Sequence, residues 1–173
     1  MGFDAVINHQ DFLLTINRNK ENIVKDVLPG VHLNPLFLDT ENGIWVLYGV
    51  FEPGVRLPRH FHTGTVHFYT TSGQWNYVEY PDQEQTAGSY LYEPGGSIHA
   101  FMVADDASEP AEGFMVVQGA NINIDEDGNY LSTQDAGWIE NAIIDACKSQ
   151  DRPIPRYIKP AGGAQYSDAQ KGA

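Results

Sequence analysis

The residues of this sequence with the clearest chemical potential are histidines. Three of the six, His60, His62 and His67, lie close together in the stretch GVRLPRHFHTGTVHF. His60 and His62 are two residues apart, so on a β-strand their side chains point to the same side of the sheet. Neutral imidazole is a good ligand for Zn, Fe, Ni and Cu, so two of them on one side indicate a candidate metal site. An H-x-H pair alone is weak evidence for such a site.

Short runs rich in β-branched and aromatic residues surround these histidines. Turn signals such as Glu52-Pro53-Gly54, Gly73 and Pro94-Gly95-Gly96 separate them. The runs are IWVLYGVF, VHFYTTS, QWNYVEY, SYLYE, IHAFMV and FMVVQGANINI, the last being one strand or a pair. Strands at this spacing, without helical periodicity between them, are typical of a sandwich or a barrel. The sequence therefore predicts an all-β barrel core over about residues 31–124.

One helix is predicted after the strands, over about residues 133–149. Ser132 to Asp135 resembles a capping box, and apolar residues from Trp138 to Cys147 recur at helical spacing. The segment DRPIPRYIKP that follows contains three prolines. Because proline is incompatible with a helix interior, the tail over residues 150–173 is expected to run extended. No repeat or second domain is evident, so residues 1–173 are expected to form a single domain.

Composition excludes several classes of protein. The chain has 173 residues, 42% of them hydrophobic, a mean hydropathy of -0.36 and a net charge of -13. The charge argues against nucleic acid or an anionic membrane as a partner. No apolar run is long enough to cross a bilayer, and the N-terminus has no signal-peptide pattern, so we expect a cytoplasmic protein. Cys147 is the only cysteine, which suits a reducing compartment and a role in the core.

Two stretches, GVRLPRHFH and GSYLYEPGGSIH, resemble the two sequence motifs of the cupin superfamily of small metal-binding β-barrels. The second motif matches at every glycine, proline and histidine, although Val103 replaces its closing asparagine. The resemblance covers roughly residues 40–117. It implies a single cupin barrel, also called a double-stranded β-helix or jelly roll, with a C-terminal helix and an extended tail. It also implies that His60, His62 and His99 are the metal ligands.

The first motif lacks the glutamate that the cupin pattern places after the second histidine. Val66 or His67 occupies that position. If Val66 faces inward there, His67 faces outward and has a structural role. Three neutral ligands would leave a divalent ion its full charge and open coordination positions. Such a site favours an anionic, chelating substrate such as an enolate.

Two other carboxylates are candidates for a role at the site. Glu79 lies on the strand after Gly73 and could reach the ion as a fourth ligand. Glu93 precedes Pro94 and could orient a histidine or a water molecule from a position behind the ligands. For both residues, a solvated strand position is the alternative.

A narrower resemblance is carried by HTGTVH, by the W-x-Y run and by TAGSY-x-x-EPGG-x-x-H. These are similar to the small group of cupins that includes 2,4'-dihydroxyacetophenone dioxygenase and acetylacetone-cleaving dioxygenase. The resemblance implies a non-haem Fe(II) enzyme that uses O2 to cleave a carbon–carbon bond beside a ketone. It implies iron bound by the three histidines and a glutamate, for which Glu79 is the candidate in this sequence. Glu79 and Glu93 are the candidate catalytic residues. Zn or Ni could occupy the same site in purified protein.

The walls of a substrate pocket are expected to come from aromatic residues of the barrel strands. The candidates are Trp75, Tyr77, Tyr90, Tyr92 and Phe101. Because side chains alternate between the two faces of a strand, only some of them can face inward. The expected partners are a small ketone and O2.

The sequence is also compatible with two alternatives to a dioxygenase. A cupin with three histidines can bind Zn, Ni or Mn and act as a lyase or isomerase without O2. The sequence also resembles the cupin-type sensor domain of zinc-containing anti-sigma factors, which is a ligand-sensing module and not an enzyme. A homodimer or higher oligomer is expected, because cupin barrels commonly associate and the extended segment over residues 151–160 needs a surface to lie on.

Overall fold

The structure is a computed structural model that describes residues 13–160. In this range it contains twelve β-strands and one α-helix, with a short 3₁₀ helix at Lys20–Asn22 before the first strand. The elements are β1 (Val24–Leu28), β2 (Val31–Asp39), β3 (Ile44–Phe51), β4 (His60–His62), β5 (Val66–Ser72), β6 (Gln74–Tyr77), β7 (Tyr80–Thr86), β8 (Tyr90–Glu93), β9 (Phe101–Met102), β10 (Ala111–Gln118), β11 (Asn121–Ile124), β12 (Tyr130–Gln134) and α1 (Ala136–Ser149).

The strands form two walls of a barrel. The first wall is a six-stranded antiparallel sheet in the order β1-β2-β3-β10-β5-β8. The second wall consists of two three-stranded sheets, β12-β11-β4 and β7-β6-β9. Isolated antiparallel bridges from His60 to His99 and from Arg56 to Met102 join these two sheets into one continuous surface. The predicted all-β jelly-roll barrel is confirmed.

Most of the predicted strands appear where the pattern places them. β3 and β5 coincide with IWVLYGVF and VHFYTTS, and FMVVQGANINI divides into β10 and β11. The division falls at Gly119, whose φ of +83° favours glycine. A Cβ at this position would also lie 2.3 Å from Thr63 Oγ1. The strands extend beyond the predicted core, since β1 precedes residue 31 and β12 follows residue 124.

Aromatic side chains between the two walls hold the strands that carry the site. The Phe101 ring lies 4.5 Å from that of Phe51 and 4.7 Å from that of Trp75, between ring centroids. Trp75 also contacts Phe68 at 4.9 Å and donates a hydrogen bond to the buried Thr70 hydroxyl at 2.9 Å. Contacts of this kind add to the free energy gained by burying apolar area, so β3, β5, β6 and β9 are held in fixed relation.

The helix α1 packs an apolar stripe against β1, β2 and β12. The buried residues of this stripe are Ala136, Ile139, Ile143 and Cys147, which recur at helical spacing. The core role expected for Cys147 agrees with its burial. Within residues 13–160, no helix combines the length and the apolar character needed to span a bilayer.

The start of the helix differs from the prediction. The expected N-cap at Ser132 is wrong, because Ser132 lies in β12, where its hydroxyl accepts a hydrogen bond from Asn123 Nδ2 at 2.9 Å. The N-cap is Asp135, whose carboxylate accepts a hydrogen bond from the Trp138 backbone N–H at 2.8 Å. The last strand therefore runs directly into the helix.

Replacing Asp135 with alanine should lower the free energy of unfolding by about 1 kcal/mol, because a backbone N–H of the first helical turn loses its acceptor. Chemical denaturation monitored by circular dichroism measures this change. Asp145→Ala is the matched control, since Asp145 is an exposed helix residue that pairs with the exposed Lys148. An equal loss of stability in both variants would contradict the cap assignment.

The segment after the helix lies along its own chain. Ile158 forms a parallel bridge to Phe37, with its N–H donating to Leu36 O at 2.9 Å and its carbonyl accepting from Leu38 N at 3.0 Å. Lys159 Nζ lies 2.8 Å from the carboxylate of Glu140. The extended conformation is confirmed up to residue 160. The surface on which this segment lies belongs to the same chain. The segment therefore gives no support for a homodimer.

Glu140 gives the attachment of this segment a predictable dependence on pH. Hydrogen bonds from Lys159 and then Tyr157 hold the pKa of the Glu140 carboxyl below its ordinary value. A carboxyl with a lowered folded-state pKa stabilises the protein above its unfolded pKa, and this stabilisation is lost as the pH falls through the folded value.

Glu140→Gln should therefore lower the thermal unfolding midpoint at pH 7, and its difference from wild type should shrink below a pH of about 4. Differential scanning calorimetry at several pH values tests this. The control is Glu126→Gln at an exposed turn. A difference that is constant across the pH range would contradict the assignment.

Candidate metal centre

The two histidine-containing motifs meet through their backbones. His60 and His99 exchange two N–H to carbonyl hydrogen bonds of 2.9 Å each, as a closely paired antiparallel couple does. The Gly96 N–H donates to His62 O at 2.8 Å. Gly96 has a φ of +85°, so the motif needs glycine there to return the chain toward the first motif. The spacing of each motif therefore reflects how the two strands are brought together.

His60, His62 and His99 converge at this junction. One nitrogen from each ring can be chosen so that all three atoms lie within 4.8 Å of one another. The ring centroids are 4.6 Å apart for His60 and His99, 5.1 Å for His60 and His62, and 5.8 Å for His62 and His99. These separations allow the three rings to bind a single ion.

The protonation of the histidines suits metal binding. All three are buried, with 2% to 7% of their surface exposed. Burial lowers the pKa of His60, and it lowers the pKa of His62 to about 4, so both rings are neutral at pH 7. His60 Nδ1 donates to the Pro58 carbonyl at 2.7 Å, which leaves Nε2 with a free lone pair.

Within residues 13–160, two buried ring nitrogens, His62 Nδ1 and His99 Nε2, make no well-formed hydrogen bond, although the Glu93 carboxylate lies 3.1 Å from His99 Nε2. Leaving such atoms unpaired is costly, and an ion that accepts a lone pair from the ring removes that cost for a ligating nitrogen. A set of three imidazoles fits a first-row transition metal such as Fe, Zn or Ni. The residues present therefore fit the metal that the motifs predict.

Glu93 is the carboxylate that the fold brings to the histidines. It ends β8 and is buried, with Oε2 at 3.1 Å from His99 Nε2 and 3.4 Å from His62 Nε2. Burial raises the pKa of the Glu93 carboxyl, but His99, His62 and a hydrogen bond from Tyr77 outweigh burial and place it below the ordinary value. The carboxyl is therefore ionised at pH 7.

Tyr77 holds the other oxygen of this carboxylate. Its hydroxyl donates a hydrogen bond to Glu93 Oε1, and its ring centroid lies 4.3 Å from that of His99. Burial, together with the neighbouring Glu93 charge, raises the pKa of Tyr77 well above 10. The phenol therefore stays protonated and keeps donating to the carboxylate.

Glu79 lies near His99 but outside the group of three converging histidines. It falls in the turn after β6, where Oε2 accepts a hydrogen bond from Ala100 N at 2.8 Å and Oε1 lies 3.6 Å from Arg59 Nε. β6 ends at Tyr77, so strand alternation does not carry through to residue 79. The geometry favours a role in positioning the backbone next to His99 over the predicted role as a ligand.

The remaining histidines take structural positions or lie outside the described residues. Val66 is buried and faces the interior, while the His67 ring lies on the outer face, with Nδ1 at 2.7 Å from the Tyr90 hydroxyl. His32 Nε2 lies 3.0 Å from a carboxylate oxygen of Glu52. His9 lies outside residues 13–160. The sequence argument that placed Val66 inward and His67 outward agrees with the structure.

A cavity of about 110 Å³ adjoins the histidines. Its lining is mainly apolar side chains from both walls of the barrel. The polar lining residues are His60, His62, Tyr77, Glu93, Asn121, Asn123 and Gln134. Of the aromatic residues predicted to form walls, Tyr77 and Phe101 line the cavity. Trp75 is buried without lining it, and Tyr90 and Tyr92 are exposed.

Sequence reasoning missed the three carboxamides Asn121, Asn123 and Gln134. The available signal was the alternation N-I-N over residues 121–123, which puts two polar side chains on one face of a predicted strand. Which face was interior depended on the register of β11 with β4, and the local pattern does not contain that register.

A jelly-roll barrel whose two motifs bring three histidines together beside an interior cavity defines a cupin with a candidate metal centre. The chain belongs to the family of ChrR cupin-like domains, whose model matches residues 14–121.

Several solved structures share the fold. A protein of unknown function with a cupin-like fold from Ralstonia eutropha JMP134 is 45% identical, with a TM-score of 0.85, and the match covers 93% of this chain and 100% of that one. An RmlC-like cupin from the same organism is 27% identical, with a TM-score of 0.66, covering 73% and 80% of the two chains. An acetylacetone dioxygenase from Acinetobacter johnsonii has a TM-score of 0.69 and covers 83% and 99%, but at 17% identity it indicates the fold alone. No curated protein sequence matches the chain.

Proposed function

We propose that the protein is a metal-dependent dioxygenase that cleaves a carbon–carbon bond beside a ketone with O2. His60, His62 and His99 would hold the metal, which we propose to be Fe(II). The observation that carries the proposal is a set of three buried, converging imidazoles beside an apolar cavity. Imidazole ligands carry no negative charge, and the nearby Glu93 carboxylate offsets only part of the +2 charge of the ion, which favours a chelating enolate. When bound, the metal supplies Lewis acidity and reactivity toward O2.

Glu93 has the position and charge of a general base for forming that enolate. Its Oε2 lies beside the histidines, and its Oε1 is held by the Tyr77 hydroxyl. An ionised carboxylate fixed in this way can accept the proton from the carbon between two carbonyl groups. The walls of the cavity are mainly apolar, so they would compete little with the metal for the resulting negative charge.

The size of the cavity favours a small substrate. A cavity of roughly 150 Å³ holds a benzene molecule, and the cavity here measures about 110 Å³. Of the two substrate classes predicted from the sequence, an aliphatic β-diketone therefore fits better than a hydroxyacetophenone. Acetylacetone, the substrate named for the Acinetobacter johnsonii enzyme of the same fold, is a β-diketone.

The test is an oxygen-electrode assay on protein purified without oxygen and loaded with Fe(II). With acetylacetone we expect stoichiometric O2 consumption and two carbonyl or carboxyl products, and with 4-hydroxyacetophenone a much slower reaction. Full activity without O2, or with Zn alone, would contradict the proposal and favour a lyase or isomerase using Zn, Ni or Mn.

One observation favours a second candidate, a metal-binding sensor without enzyme activity. The three histidines are almost sealed from solvent, which is typical of ions with a structural role. In that case the protein should retain Zn during prolonged dialysis against a chelator and show no turnover with any ketone. Loss of the metal, together with O2-dependent turnover after Fe(II) loading, would contradict it.

We also propose a homodimer or higher oligomer. The outer face of the six-stranded sheet exposes Tyr69, Tyr90, Tyr92 and Phe114 on neighbouring strands. A contiguous aromatic face of this kind is typical of an association surface. Light scattering at micromolar concentration should give a mass of at least two chains, and a monomer would contradict the proposal.

A further inference from the structure

The wall of the cavity that carries His60 and His62 continues as polar side chains onto the next strand. In the antiparallel pairing of β4 with β11, Asn121 lies opposite His62 and Asn123 lies opposite His60. Directly opposed residues project from the same face of a sheet, and all four line the cavity. The two asparagines therefore face the same interior space as the candidate ligands, one strand away.

Hydrogen bonds fix the side chain of Asn121. Its Nδ2 donates to Gln134 Oε1 at 3.1 Å and to Asn123 Oδ1 at 3.4 Å, which uses both amide hydrogens. Asn123 Nδ2 in turn donates to the Ser132 hydroxyl at 2.9 Å. In this arrangement Asn123 Oδ1 and Gln134 Oε1 are both acceptors, which assigns the NH₂ group of Asn121 to their side and its oxygen to the other.

This network leaves one atom without a partner. Asn121 Oδ1 is buried and makes no hydrogen bond within the described chain. An unpaired buried carbonyl costs stability, and an apolar residue would avoid that cost at a strand position. The hydrogen bonds to Gln134 and Asn123 account for the amide hydrogens of Asn121 but not for its oxygen. A hydrogen-bond donor on a bound ligand would satisfy it.

We propose that Asn121 determines substrate specificity by accepting a hydrogen bond from a hydroxyl or N–H group of the substrate. This proposal rests on the proposed function, in which the two carbonyl groups at one end of the substrate bind the metal. Neighbouring strands are about 4.8 Å apart, so the donor belongs on a carbon next to a chelating carbonyl. The substrate class is then a small β-dicarbonyl with a hydroxyl or amine on a terminal carbon.

The test compares two ligands of equal size, 1-hydroxypentane-2,4-dione and hexane-2,4-dione, which differ by a hydroxyl in place of a methyl group. Calorimetry on the Zn-loaded full-length protein measures binding without turnover. We expect wild type to bind the hydroxylated ligand about tenfold more tightly or better, since only that ligand satisfies the buried carbonyl. In Asn121→Leu this preference should be lost or reversed.

Asn34→Leu is the matched control. Asn34 is also buried with an unpartnered Oδ1, but it does not line the cavity. Both leucine variants remove an unpaired buried carbonyl, whereas only Asn121→Leu should change the ligand preference. Asn121→Ala, which avoids overpacking, provides the same comparison if the leucine variant does not fold.

The outcomes separate this proposal from the proposed function. Equal affinity of wild type for the two diketones, or a preference that survives in the Asn121 variants, would overturn the role of Asn121 while leaving diketone chelation intact. Binding of neither ligand to wild type would overturn both.

Discussion

Replacing His62 with alanine is expected to reduce the metal content from about one ion per chain to a small fraction of that value. Two imidazoles remain in the variant, and the Glu93 oxygen that lies 3.4 Å from His62 Nε2 loses a neighbour. With one of three protein ligands removed, the ion exchanges its remaining contacts for water. Elemental analysis of protein purified without oxygen measures the result.

His67→Ala is the control for this variant, because its ring lies on the outer face beside Tyr90. It should keep the metal content of wild type. Full metal occupancy in His62→Ala would contradict the assignment of the metal site. An equal loss of metal in His67→Ala would show that the effect is not specific to the three converging histidines.

Replacing Glu93 with glutamine is expected to reduce turnover by about a hundredfold or more while the metal stays bound. The glutamine side chain keeps the shape of the carboxylate, and its carbonyl can still accept the hydrogen bond from Tyr77. It cannot accept the proton that must leave the substrate. Steady-state kinetics and metal analysis on the same preparation separate the two effects.

Glu79→Gln is the matched comparison, since its carboxylate accepts from the backbone of Ala100. A glutamine carbonyl can preserve that hydrogen bond, so this variant should keep both metal and most of its activity. If Glu79→Gln loses metal, Glu79 is a ligand after all. If Glu93→Gln loses metal, Glu93 binds the ion in place of acting as a base.

Much of the fold could be predicted because its signals are local. β3 and β5 are runs of β-branched and aromatic residues bounded by turn residues, and the order of these runs along the chain suffices for a barrel. The motif glycines were informative for the same reason, since a residue such as Gly96 is required by its own backbone angle.

The features that sequence reasoning missed depend on pairing between distant segments. β1 contains Asp26 at a φ of 47° and has no clear alternation, so its pairing with β2 forms the strand without a strong local preference. The helix start at Asp135 depends on β12 continuing to Gln134 beside β11. The inward position of Asn121 likewise follows from its register with His62. Tertiary contacts determine each of these three features, and local propensity does not predict them.

The pair of backbone hydrogen bonds between His60 and His99 has a consequence for how the protein acquires its metal. Sheet pairing holds the ligands near one another, so folding of the chain and assembly of the ligand set are the same event. Small zinc domains behave differently, because their chain orders only when the ion binds. An ion would therefore enter a barrel that is already complete, and metals of similar size could exchange without unfolding it. The metal found in the cell would then reflect which ion is available to the folded barrel.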